Sequence, residues 1–240
     1  TGLLLETDLN SEQQEYAKAV WRSGDHLLIL INDILDFSKM EAGKLDLEMI
    51  DFDLRAAVES VTELLAEQAQ RKGLELVSLI HASTPIAVQG DPGRLRQILM
   101  NLVGNAVKFT EQGRVVLQVR ATEDHGDSVT LLFDVTDTGI GIPLEKQAAI
   151  FDAFSQADSS TTRQFGGTGL GLSIAKRLVT LMNGTIGVES TIDQGARFWI
   201  TVPMVVQPSL QRSGQLPVAE LRNRKVCIVD DDPAGRKVLE

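Results

Sequence analysis

The fold and chemistry of this chain are decided between residues 137 and 173, which open with D-T-G-I-G-I (137–142) and close with G-G-T-G-L-G-L-S (166–173). An aspartate followed by alternating glycines lets bare backbone approach a flat ligand. A second glycine cluster opening a helix leaves N–H groups facing outward, which suits phosphate oxygens. Between the clusters lie a helix-like piece, 143–154, and a polar run, 155–164, without packing periodicity. A mobile lid is expected there. Neither cluster is specific alone, but in this order, below an asparagine-bearing helix, they point to ATP.

That upstream helix starts at Asp91-Pro92, an N-cap and first-turn pair, and is expected to reach Phe109. Leu95, Ile98, Leu99, Leu102, Val103 and Ala106 share its broad apolar face. At about 100° per residue, Asn101, Asn105 and Lys108 fall within about 60° of one another beside that face. Asparagine is a poor helix former, so a merely solvated surface would favour Glu, Lys or Gln. Two amides and an ammonium are therefore expected to point into a cleft at a sheet's edge.

Working outward, residues 113–122 and 128–135 read as an antiparallel hairpin across His125-Gly126-Asp127. Residues 170–182 read as a helix ended by Asn183-Gly184, with closing strands at 185–189 and 197–202. Upstream, alternation at 45–49 predicts a half-buried strand, Asp53 caps a helix stopped by Gly73, and 74–80 and 87–89 read as strands. Nearer the N-terminus, Ser11 with Gln14 is expected to form a capping box. Tyr16, Val20, Ser23, Leu27, Leu30, Ile34 and Phe37 follow at spacings of 4 and 3, widened by Leu28, Ile31 and Leu35. Such a stripe suits a four-helix bundle completed by a second chain. Residues 205–222 carry Pro, Ser, Gln and Gly without periodicity, as a linker does. After it come a buried-type strand at 225–229 and the acidic triplet Asp230, Asp231 and Asp232.

The chain has 240 residues and a net charge of -10, which excludes a nucleic-acid surface and requires local cations or backbone N–H groups to hold phosphate. One cysteine, Cys227, allows no internal disulfide and fits a reducing compartment. No apolar run is long enough to span a membrane. A start at Thr1 and an end inside an apparent helix are read as those of a fragment.

The residues resemble a sensor histidine kinase of the hybrid type. N-L-V-G-N-A-V-K-F-T (101–110) resembles the family's N box, D-T-G-I-G-I its G1 box, F-D-A-F (151–154) its F box, and G-G-T-G-L-G-L-S its G2 box. L-I-N-D-I-L-D-F-S-K-M-E-A-G-K-L (30–45) is similar to the end of the dimerisation helices, and K-V-C-I-V-D-D-D-P (225–233) to the start of a receiver domain. The resemblance implies an α/β (α+β) fold: a helical dimerisation hairpin, then a Bergerat-type α/β sandwich of the GHKL class. It divides the chain into partial dimerisation and phosphotransfer helices (1–44), a catalytic ATP-binding domain (45–204), the linker (205–222) and a receiver start (223–240).

Carried over by resemblance, Asp137 accepts the adenine amino group, with Gly139 and Gly141 letting backbone close on the ring. Asn105 holds Mg²⁺ through its amide oxygen, Asn101 lies close to the same phosphates, Lys108 neutralises phosphate charge and Phe109 flanks the nucleotide. Gly167, Thr168, Gly169, Leu170 and Gly171 line the phosphate cradle, while Arg163 reaches the γ-phosphate. Asn101, Lys108 and Arg163 would thus act in catalysis. Phe151 and Phe154 are expected to anchor the lid. The implied partners are ATP and ADP, a second copy through the N-terminal helices, and receiver domains, its own and that of a downstream regulator, in the cytoplasm. Any membrane anchor would lie upstream.

Two features depart from the family. Its closing G-x-G-S-x-F pattern reads D-Q-G-A-R-F here (193–198). Its acceptor histidine is followed by an acid and, five residues on, a proline, which none of His26, His81 and His125 matches. The acceptor is expected just before Thr1. Two other readings stay open: an ATPase that drives a conformational cycle, as gyrase-type relatives do, and a nucleotide-binding dimerising scaffold. The ATPases use a glutamate where this sequence has Asn101.

Overall fold

The computed structural model describes residues 2–5, 7–153 and 169–207. The expected lid, Phe154, Arg163, Gly167, Thr168, the linker beyond Gln207 and the receiver start lie outside them. Contacts divide the chain into two units, Thr1–Asp46 and the part from Leu47 onward.

The first unit holds α1 (Gly2–Leu5) and α2 (Ser11–Glu41). The capping box forms one residue earlier than the sequence suggests. Asn10 Oδ1 accepts the Gln13 amide at 2.8 Å and Gln13 Oε1 accepts the Asn10 amide at 3.1 Å. Asparagine caps as well as serine, and using Asn10 lets Ser11 join the first turn. Ala42 closes the helix and Gly43 leaves it at φ 63°.

The second unit is a seven-stranded mixed sheet with three long helices on one face. In chain order come β1 (Ile50–Asp53), α3 (Leu54–Arg71), β2 (Glu75–Ile80), β3 (Ala87–Gly90), α4 (Pro92–Phe109), β4 (Arg114–Asp124) and β5 (Ser128–Asp137). Then follow α5 (Leu144–Gln147), a 3-10 turn (Ala149–Phe151), α6 (Gly171–Leu181), β6 (Thr185–Ser190) and β7 (Ala196–Val206). The strand order is β1-β3-β7-β5-β4-β2, with β6 also on β7. Among the described strands only β2 and β4 run parallel.

Two boundaries depart from expectation. The alternating residues 45–49 form no strand, and β1 begins at Ile50. Alternation supplies no partner: residues 50–53 find one in β3, whereas the Glu48 amide is taken by the Asp91 carboxylate at 3.0 Å. At the other end Val205 and Val206 belong to β7, pairing with Gln89 and Val88, so the linker does not begin at 205.

The core lies between sheet and helices. Val115, Leu117 and Val119 of β4, Leu131, Phe133 and Val135 of β5, and Ile200 and Val202 of β7 are fully buried. Leu95, Ile98, Leu99, Leu102, Val103 and Ala106 of α4 meet that layer as the wheel predicted, at 2% exposure or less. Because this face is wholly committed to the core, the remaining stripe of α4 is fixed in direction.

Candidate functional site

Asp91 starts the positioning of that stripe. Its Oδ1 caps α4 by accepting the Arg94 amide at 2.9 Å, and Pro92 occupies the first turn. Asn101, Gly104, Asn105 and Lys108 then fall on one side, half-buried, while Leu102, Val103, Ala106 and Val107 between them are buried. Gly104 escaped the sequence reading. A Cβ there would meet nothing within 4 Å, so the helix surface between the two asparagines is open.

The end of α4 abuts the Asp137 loop. A Cβ on Gly139 would come 2.6 Å from the Phe109 carbonyl oxygen, so only glycine lets the D-T-G-I-G-I backbone pass there. Asp137, the last residue of β5, is 6% exposed, and its Oδ1 accepts the Gly139 amide at 2.8 Å and the Ala196 amide at 3.3 Å. Burial pushes its carboxyl above the usual carboxylate range, and the two amides offset part of that. Near the end of α4, burial pulls the Lys108 ammonium below the ordinary lysine value. Its Nζ stands 4.8 Å from the centre of the Phe109 ring.

The beginning of α6 closes the other end. Leu170 precedes it with its side chain buried, so only its backbone can face the groove; Gly169 adopts φ 72°. A Cβ on Gly171 would stand 2.9 Å from Asn101 Oδ1, which brings the second glycine cluster against the first asparagine. Phe151 packs edge-on against Phe198, ring centres 6.4 Å apart, anchoring the segment that leads to 154–168.

The departures in D-Q-G-A-R-F are absorbed by backbone. Asp193 takes φ 60° where the family pattern has glycine, and its amide bonds the Ile140 carbonyl at 2.8 Å. Ala196 contributes its amide to Asp137, which needs no hydroxyl.

Several supports were not legible as motifs. Ser190 Oγ accepts the Ile142 amide at 2.8 Å and donates to the Gly195 carbonyl at 2.7 Å. Gln147 Nε2 bridges the Ile142 and Ser190 carbonyls at 2.9 and 2.8 Å. Arg197 grips Asp134 and Glu189 on the strands either side of β7. His81 follows β2 and His125 lies in the β4–β5 turn, both outside the groove.

Residues 1–43 match the His Kinase A (phospho-acceptor) domain, and residues 90–206 match the family described as Histidine kinase-, DNA gyrase B-, and HSP90-like ATPase. The chain belongs to the sensor histidine kinases. The kinase chain is 46% identical over 241 residues to the sensor histidine kinase GacS of Pseudomonas protegens, an alignment covering all of this chain and 26% of GacS. It is 45% identical over 210 residues to BarA of Escherichia coli K12, covering 88% of this chain and 23% of BarA. It thus spans about a quarter of the curated relatives it matches.

Among solved structures it resembles full-length ShkA in complex with AMPPNP, with a TM-score of 0.70 at 40% identity, covering 85% of this chain and 42% of ShkA. It also resembles the catalytic domain of ThkA, with a TM-score of 0.52 at 27% identity, covering 65% of this chain and 95% of ThkA. The α/β sheet with helices on one face is therefore the GHKL-type fold expected from the sequence, and the 90–206 stretch is its ATP-binding domain.

Proposed function

We propose that this kinase chain binds Mg-ATP between α4, the Asp137 loop and the start of α6, and donates the γ-phosphoryl group to a histidine on the dimerisation helices. The observation that carries the reading is Asp137: a carboxylate 6% exposed, braced by two amides, on a loop that abuts the end of the helix bearing Asn101, Asn105 and Lys108. A buried acceptor of this kind suits an adenine amino donor, and Gly139 and Gly141 bring backbone alongside the ring. Gly169 and Gly171 open α6 toward the phosphates, with Gly167, Thr168 and Arg163 assigned to the same cradle from the sequence. That ShkA was solved in complex with AMPPNP supports a nucleotide as the ligand by analogy.

Among the described residues no three His, Cys, Asp or Glu side chains converge. A magnesium ion here would take its ligands chiefly from phosphate and water, with the Asn105 amide oxygen as the protein's contribution. Bound there, it would offset charge between the phosphates. Asn101 and Lys108 orient and neutralise the triphosphate, which is the main work of a phosphoryl-transfer site. The imidazole nitrogen attacks the γ-phosphorus, the bond to the bridging oxygen breaks, and ADP leaves.

The acceptor is placed upstream of Thr1, on a helix that pairs with α2. Tyr16, Val20, Leu27, Leu28, Ile34 and Leu35 are exposed apolar residues along α2, and a homodimeric bundle would cover them. Phosphate would pass on to receiver domains, the first beginning near residue 223. No helix among the described residues is long and apolar enough to cross a membrane, and the work is assigned to the cytoplasm, where ATP is found. Titration with ADP and Mg²⁺ tests the pocket. Incubation with labelled ATP and a longer chain that includes the preceding helix tests transfer, through acid-labile phosphohistidine.

A further inference from the structure

We infer that Lys72 is a positioning residue for the nucleotide pocket. Its ammonium, carried at the end of α3, fixes the last turn of α4 and, through Phe109, the loop that bears Asp137. The inference rests on the nucleotide reading above.

Lys72 is the C-cap of α3. Its own amide bonds the Ala69 and Gln70 carbonyls, and Gly73 turns the chain away at φ 69°. The stem is thereby rooted, and Nζ donates to the carbonyls of Val107 at 2.8 Å, Lys108 at 2.7 Å and Thr110 at 3.0 Å. An ammonium has three donors, and these three oxygens belong to the last turn of another helix and its C-cap, Thr110.

The last four carbonyls of a helix have no partner within it. In α4 the Ala106 oxygen is taken by the Thr110 amide at 3.1 Å and the Thr110 hydroxyl at 2.7 Å. Those of Val107 and Lys108 are taken by Lys72. The fourth, on Phe109, lies against Gly139, at the 2.6 Å separation from a would-be Cβ noted above. Lys72 thus holds the turn on both sides of Phe109. A cation here also meets the negative ends of two helix dipoles at once. Lys108 and Phe109, which stand on this turn, inherit their placement from it. These three bonds all go to backbone carbonyls of that turn and its cap, so Lys72 is assigned a role through its neighbours and not on the ligand.

The test compares ADP binding by calorimetry for four variants of the 240-residue chain, each also unfolded in urea. Lys72→Met keeps the stem and removes the donors, and an affinity loss of about tenfold is expected, the scale of losing charge-assisted bonds. Lys72→Arg keeps the charge and should recover most of that loss. Val61→Ala, which opens the α3 core remote from the turn, controls for stability alone. It should lower the urea midpoint and leave affinity unchanged. In the nucleotide-free protein the Gly139 amide resonance should move in Lys72→Met and stay in Val61→Ala.

Wild-type affinity in Lys72→Met overturns the inference, as does an equal affinity loss in Val61→Ala. Asp137→Asn separates the two levels. If it weakens binding while Lys72→Met binds ADP as wild type does, only the positioning role fails. If Asp137→Asn binds ADP as wild type does, the nucleotide reading fails and the inference with it.

Discussion

Asp137 Oδ1 holds the Gly139 amide at 2.8 Å, so the carboxylate assigned to adenine also shapes the glycine loop beside it. Asparagine can keep that bond through its own oxygen while losing the charge. Asp137→Asn should therefore fold with an unchanged or higher midpoint, because a buried charge is removed. ADP affinity should fall at least about tenfold, since the amide's remaining face offers a donor to a donor. Calorimetry and urea unfolding on the same sample check both halves.

The same carboxylate sets a pH dependence. Its folded pKa lies above the ordinary 3.8, so the folded state holds more protons than the unfolded state between those two pH values. Stability contributed at this site is then greatest at low pH and declines as pH rises from 3.8 through the raised value, after which it is flat. The difference in unfolding free energy between wild type and Asp137→Asn should follow that course. A difference independent of pH across the acid range would contradict it.

Lys108 has the opposite sign. Burial lowers its pKa, so between that value and 10.5 the folded protein holds fewer protons, and stability rises with pH through the window. A phosphate brought to Nζ restores the charged form. Binding of ADP just below pH 10.5 should take up protons, read as a dependence of calorimetric enthalpy on buffer ionisation. The uptake should vanish in Lys108→Met.

Asp193 stands at φ 60°, a left-handed conformation that side chains disfavour by about 1–2 kcal/mol, less for aspartate. Asp193→Gly should raise the unfolding free energy by up to about 1 kcal/mol and leave nucleotide affinity unchanged. A loss of stability would mean that the carboxylate has a role its loop geometry does not reveal.

Gly104 sits inside α4 with open space beside it. Gly104→Ala should stabilise the fold by about 1 kcal/mol, the difference in helix propensity. Urea midpoints decide it.

How much of this was legible follows from how local each signal is. Asp91-Pro92 announced α4, and its apolar face fixed the direction of Asn101, Asn105 and Lys108 before any partner was known. The strands with strong alternation, β4 and β5, were equally plain. The residues 45–49 misled because alternation records a half-buried surface but not whether a neighbouring strand exists. Lys72, Gln147 and Ser190 left no trace, since the contacts of Lys72 with α4 and its cap, of Gln147 with Ser190 and of Ser190 with Ile142 join residues 35 to 48 positions apart and carry no pattern along the chain. Ser11 and Asn10 were chemically interchangeable as caps, so composition could not choose between them.

The central strand of the sheet, β7, is also the last described one in chain order, and it joins β3, β5 and β6. A ribosome releases Asn101 and Asp137 well before it releases Ile200. Until then β3 lacks a neighbour on that side, and Ala196 is not there to brace the aspartate. Nascent kinase chains should therefore acquire affinity for ADP abruptly, when Val206 clears the exit tunnel, and not in proportion to the length already made.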